Sequence, residues 1–185
     1  MGYTTDFEGG LKISRPLTKK QTAYLNLLNG TRRMKRDVNK LMAIYGGKHG
    51  NPFATEKTPE AIYGRQGEYF AREDGQCGQS TDDSIIDYNI PPVQAGFMRD
   101  TKGAVPGLWC GWCITEDGSR LEWDGGEKFY NYVEWLEYLI KHFFEPWGRK
   151  LNGTIYWYGE DRSDQGKIEV KANKVKISRG EIVYN

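Results

Sequence analysis

Cys110 and Cys113 stand in WCGWC, the spacing of a dithiol redox pair, whose chemistry needs a low-pKa thiolate at a helix N-terminus. The residues that follow, ITEDGSRLEW, read as a hairpin instead of a helix. Strand alternation then sends the two sulfurs to opposite faces, so buried free thiols are expected. With Cys77 the cysteines number three, an odd count that argues against a disulfide framework. Neither His49 nor His142 completes a paired zinc-ligand pattern with them. His142, near the end of a long helix, is expected to sit charged against the helix dipole.

Two charged groups offer other chemistry. Glu160, Asp161 and Asp164 in GEDRSD, joined by Glu122 or Asp124, are the carboxylate type that holds a divalent cation in nucleases, but no Lys or His stands at a spacing that completes such a site. DDSIID at 82–87 is acidic in the same nonspecific way. In TRRMKR, Arg32, Arg33, Lys35 and Arg36 crowd a helix start that the dipole does not favour, which suits phosphate or an acidic partner surface; a solvated charge run is the plainer reading. Lys167, Lys171, Lys174, Lys176 and Arg179 fall outward on the last hairpin and protect an edge strand. No catalytic residue, metal site or cofactor is assigned from these patterns.

Aromatic residues are the strongest signal, at 14% of the chain. In TIYWY, Ile155 and Trp157 point to one side of a strand, Tyr156 and Tyr158 to the other. Trp109, Trp112 and Trp123 repeat the situation nearby. A helix can cover only one face of the sheet. Tyr156, Tyr158 and Trp109 are therefore candidate binding residues, for stacked bases or for a partner protein, unless the N-terminal helices cover that second face.

The elements that would position these residues follow from period and caps. Tyr3 to Ile13 reads as a strand with a bulge or bend at Gly9–Gly10. Thr18 and Gln21 form a capping box for a helix that ends at Gly30, and a second helix is expected from about Met34 to Tyr45, stopped by Gly46 and Gly47. Residues 46–106 read as an irregular, loop-rich insertion, with TPEAIY as one helical turn. A strand over 107–115 turns at Glu116-Asp117-Gly118 into Leu121 and Trp123. Asp124 and Glu127 resemble an acidic capping box opening a long helix over about 125–145, with Phe129, Val133, Leu136, Ile140 and Phe143 inward and Pro146 as its stop. Strands 154–158, 167–171 and 174–178 complete the pattern, the last two joined at Ala172-Asn173.

These elements predict one α+β domain over 1–185, a mainly antiparallel sheet with the long helix on one face. At 185 residues the chain is long enough for a core without staples, and 38% hydrophobic with 28% charged residues is a globular composition. A net charge of +1 gives no global field toward nucleic acid. The opening MGYTTDFEGG has no secretory pattern, so a cytoplasmic location is expected, with no membrane span.

IDYN with PP at 91 and 92, GLWC, TEDG, LEWDGGEKFYNYVEWLEYLI, PWG, LNG, GED and GKIEV together resemble a family of small uncharacterised bacteriophage and prophage proteins, over roughly residues 85–177. The resemblance carries no activity. It implies an accessory protein acting in the cytoplasm of a bacterial host, binding a host protein, a protein–nucleic acid complex or a nucleotide-type ligand, with antagonism of host antiviral defence as its implied use. The expected function is thus a non-enzymatic binding protein. The alternatives are a small metal-assisted hydrolase of nucleotides or nucleic acid, and an interaction module without a small-molecule ligand. The sequence leaves the oligomeric state open.

Overall fold

A computed structural model of the chain describes residues 2–73, 81–92 and 105–180. In chain order its elements are β1 (Thr5–Ile13), α1 (Lys19–Asn29), β2 (Lys35–Arg36), α2 (Val38–Tyr45), α3 (Pro59–Tyr63), β3 (Ile85–Asp87), β4 (Trp112–Ile114), β5 (Arg120–Trp123) and α4 (Tyr132–Leu139). A π-helical turn over Ile140–Phe144 continues α4, followed by β6 (Leu151–Gly159), β7 (Gln165–Lys171) and β8 (Lys174–Arg179). This is an α+β fold. The chain divides into two compact units, Met1–Thr22 with Gly111–Asn185, and Ala23–Cys110. Among the described residues no helix is long and apolar enough to cross a membrane.

The first unit carries a six-stranded sheet in the order β4-β5-β1-β6-β7-β8, antiparallel at every pairing. Strand β1 alternates cleanly: Thr5, Phe7, Leu11 and Ile13 are buried, while Asp6, Glu8 and Lys12 are exposed. The expected bulge at Gly9–Gly10 is absent, because β1 and β6 stay in register from Thr5 opposite Gly159 to Ile13 opposite Leu151. What Gly9 supplies is close approach. At φ 93° its position leaves no room for a Cβ, which would lie 2.5 Å from the Thr154 carbonyl oxygen.

On the buried face Phe7 is ringed by Trp112, Trp123, Phe129 and Tyr132 at centroid distances of 5.3, 5.5, 5.8 and 4.8 Å. Tyr132, the first residue of α4, also meets Trp157 at 6.1 Å, and its carbonyl accepts from Trp112 Nε1. This aromatic nest is what fixes α4 on the sheet, since edge-to-face rings add directional preference to apolar burial.

The single long helix over 125–145 is not formed. Gly125, Lys128 and Asn131 all have positive φ, so the chain between β5 and α4 turns repeatedly before it can coil. Asp124 does not cap a helix; its Oδ1 accepts from Gly126 N in a local turn. The inward set shifts accordingly. Trp135, Leu136, Tyr138, Leu139, Ile140, Phe143 and Phe144 are buried, Phe129 is buried from outside the helix, and Val133 is only half-buried. Pro146, with no N–H for the carbonyl of residue 142, sits where the ladder widens to the bond from Glu145 N to Ile140 O. Strand 107–115 shortens as well. Only Trp112–Ile114 pairs, and the Leu108 carbonyl accepts from Arg33 N at 2.7 Å instead.

The second unit packs Val38, Leu41, Ile62, Tyr63 and Phe70 into a core, so residues before 74 in the stretch read as irregular supply much of it. Thr58 caps α3 as TPEAIY implies, and the αL Gly46 ends α2. Helix α2 starts at Val38 and not at Met34. Asp37 is its N-cap, accepting from Asn39 N and Lys40 N, while Lys35 and Arg36 are extended and pair with β3.

Candidate functional site

The basic run therefore does not crowd a helix N-terminus, and it splits in two. Arg33 and Arg36 are 3% and 2% exposed. Arg33 donates from Nε to Thr31 O and from Nη1 to Glu68 O, and Arg36 donates from Nη1 to Asp82 and Ser84 while its guanidinium lies over the Phe70 ring. Both arginines serve the interior of their unit. Arg32 and Lys35 are half-buried; the Arg32 guanidinium stacks 4.3 Å over Tyr88 and lies 6.0 Å from the Trp109 ring. Trp109 is thus a neighbour of Arg32 in the second unit.

The sulfurs are not a redox pair. Cys110 is buried and Cys113 half-buried, and burial with the nearby Asp124 and Glu122 charges pushes the Cys113 thiol up to about 11. That is the opposite of a reactive thiolate. Cys77 lies outside the described residues. His142 stacks on Tyr138 at 4.2 Å, and burial, helped by Lys141, pushes its pKa down to about 4. It is neutral near pH 7, not the charged partner of a helix dipole.

The acidic loop is committed to holding the chain together. Glu160 accepts from Thr4 N, Asp161 from Ser163 N and Oγ, and Asp164 from the Tyr3 hydroxyl and Trp157 Nε1. Hydrogen bonds from Ser163 hold the Asp161 carboxyl below its usual value. Among the described residues no group of three or more His, Cys, Asp or Glu is placed to hold a metal ion.

The remaining candidates lie on the outer face of the sheet, opposite the aromatic nest. Tyr156 and Tyr158 are 46% and 42% exposed, whereas Trp157 between them is 3% exposed. Asp6, Glu8, Lys12 and Arg120 on the same face are exposed too, so this face is open. The tyrosines form one wall of a shallow groove of about 270 Å³ that continues over Gln165, Lys167, Ser178 and Arg179. Register fixes the rows that cross it. Glu8 lies opposite Tyr156 and Tyr156 opposite Lys167; Asp6 lies opposite Tyr158 and Tyr158 opposite Gln165. Each tyrosine is therefore flanked by a carboxylate on β1 and a polar or cationic side chain on β7.

Asp6, Glu8 and Gln165 escaped the sequence reading. Alternation in TDFEGGLKI does put Asp6 and Glu8 on one face, but nothing local says that this strand lies beside β6. Lys167 belongs to the expected edge protection, since β8 is an edge of the sheet; Arg179, expected outward with the lysines, lies instead opposite Gly166 in the row of Trp157, on the other face. Compared with family models, curated proteins and solved structures, the chain shows no match.

Proposed function

We propose that this chain is a non-enzymatic binding protein whose open sheet face takes the bases of a single-stranded nucleic acid. The observation that carries the reading is the exposed pair Tyr156 and Tyr158 on one strand, above a groove that bears Lys167 in the row beside Tyr156. Residues two apart on a strand stand about 6.8 Å apart, roughly twice the 3.4 Å step between stacked bases. Two neighbouring bases reach both rings only when unstacked, which is how proteins read single strands. Lys167 is held only by an exposed ion pair to Glu169 at 3.2 Å, a contact of little net worth that a phosphate can displace.

The resemblance to small phage and prophage proteins would put that ligand in a bacterial host and give its capture a use against host defence. The reading of the face does not depend on it.

Fluorescence anisotropy of the full chain with labelled oligo-dT and oligo-rU tests the proposal. Binding that weakens by about 1–3 kcal/mol per ring in Tyr156→Ala and Tyr158→Ala supports it. Absence of binding at low salt, with a protein captured through the same tyrosines, would replace nucleic acid by a protein partner.

A further inference from the structure

We infer that this face discriminates among bases and prefers guanine, with Glu8 and Asp6 as the residues that read it; the inference rests on the nucleic-acid reading above. Among the described residues neither carboxylate has a hydrogen-bond or ion-pair partner. The other acids of this unit near the groove are occupied: Glu169 by Lys167, Glu160 by Thr4, Asp161 by Ser163 and Asp164 by Tyr3 and Trp157. A carboxylate left unused beside an exposed ring repels a nucleic-acid backbone. It has to be tolerated for some gain, or placed where the backbone does not go.

The register provides such a place. In the row Glu8–Tyr156–Lys167 the ring lies between the anion and the cation, one strand spacing from each. The row spans two spacings, about 9–10 Å, the scale of a nucleotide from phosphate to base edge. A base stacked on Tyr156 with its phosphate toward Lys167 turns its Watson–Crick edge toward Glu8. Asp6 and Tyr158 repeat this geometry two residues on, with Gln165 in the place of the lysine. On β8 the first row continues to Ser178, opposite Lys167, so Lys167 is the cation of this pair of rows.

Only one base edge suits a carboxylate there. Guanine presents N1–H and N2–H side by side, two parallel donors for two carboxylate oxygens, a charge-assisted fork. Adenine and cytosine each offer an amino donor next to a ring nitrogen acceptor, which repels the second oxygen. Thymine and uracil flank their single N–H with carbonyls. Specific pairs of this kind separate right from wrong base by roughly 5- to 150-fold in affinity.

The test uses the full chain and labelled heptamers: oligo-dT, the same strand with one central guanine, and the same strand with hypoxanthine there, which lacks the 2-amino donor. Guanine should bind roughly 5- to 150-fold tighter than thymine, hypoxanthine in between. Glu8→Gln with Asp6→Asn should bring the guanine and thymine strands to one affinity, and circular dichroism should show the fold retained. Equal binding of all three strands by the unaltered chain would overturn the guanine preference and leave the nucleic-acid reading standing. Binding of none would overturn both, and a guanine preference that survives the double variant would overturn the assignment to these carboxylates.

Discussion

Arg36 and Asp82 form an ion pair at 2.8 Å with the guanidinium closed to solvent, joining β2 to a residue 46 positions along the chain. The carboxylate is fully used. Its Oδ2 also accepts from Tyr45, and its Oδ1 from Ser84 N and Oγ. Removing one partner of a buried pair strands the other, so Arg36→Met should cost about 3–5 kcal/mol by urea denaturation. A loss below 1 kcal/mol would show the pair to be solvated in solution.

The same carboxylate sets an acid limit. Desolvation raises its pKa, but hydrogen bonds from Ser84 and Tyr45 and the charge of Arg36 outweigh that and hold it below the ordinary value. A depressed carboxylate contributes stability above its unfolded pKa of about 3.9 and loses it as pH falls through the folded value. Thermal melts should therefore fall away below about pH 4, and this part of the fall should be missing in Asp82→Asn.

What the sequence made legible is what short-range chemistry decides. The reciprocal bonds of Thr18 and Gln21, the left-handed Gly46, and the Ala172-Asn173 turn with both residues at positive φ all depend on neighbours within a few positions. So do the two faces of β6. The long helix does not form because Lys128 and Asn131 adopt positive φ, and neither position holds a glycine that would announce it. Arg36 looked like a surface cation because Asp82 lies far away in sequence. Half of the candidate site was hidden likewise: strand order places β1 beside β6, and only then does Glu8 stand next to Tyr156.

Gly9 and Gly153 combine a positive φ with a backbone oxygen where a side chain would go, so neither should tolerate replacement. A Cβ on Gly9 would lie 2.5 Å from the Thr154 carbonyl oxygen, one on Gly153 2.7 Å from that of Gly10, and both backbones are at positive φ. Gly9→Ala and Gly153→Ala should each destabilise by more than about 1 kcal/mol. Gly125→Ala is the control, with positive φ and nothing within 4 Å, and should cost less. Equal losses in all three would assign the effect to φ alone.

His142 gives the first unit a second pH dependence, of known sign. Burial holds its pKa near 4, against about 6.5 in an unfolded chain, so the unfolded state binds the extra proton between these values. Stability is full above about pH 6.5 and declines as pH falls toward 4. Replacing His142 by Gln should flatten the decline between pH 6.5 and 5, above the range of most carboxylates. An NMR titration of the ring placing its midpoint near 6.5 would contradict the burial.

Tyr156 and Trp157 are adjacent in sequence and should respond oppositely to truncation. Trp157 is buried against Tyr132, donates from Nε1 to Asp164, and lies over Gly166, where any Cβ would fall on its ring. Trp157→Ala should cost about 3–5 kcal/mol of folding free energy as a cavity in the aromatic nest. Tyr156 stands on the open face with no such contact to lose, so Tyr156→Ala should change stability by less than about 0.5 kcal/mol. Binding should reverse the order once folding is accounted for, with the tyrosine variant weakened by about 1–3 kcal/mol. Melts and anisotropy on the same two variants decide this, and a Tyr156 variant that unfolds while the Trp157 variant melts normally would mean that the sheet presents its other face.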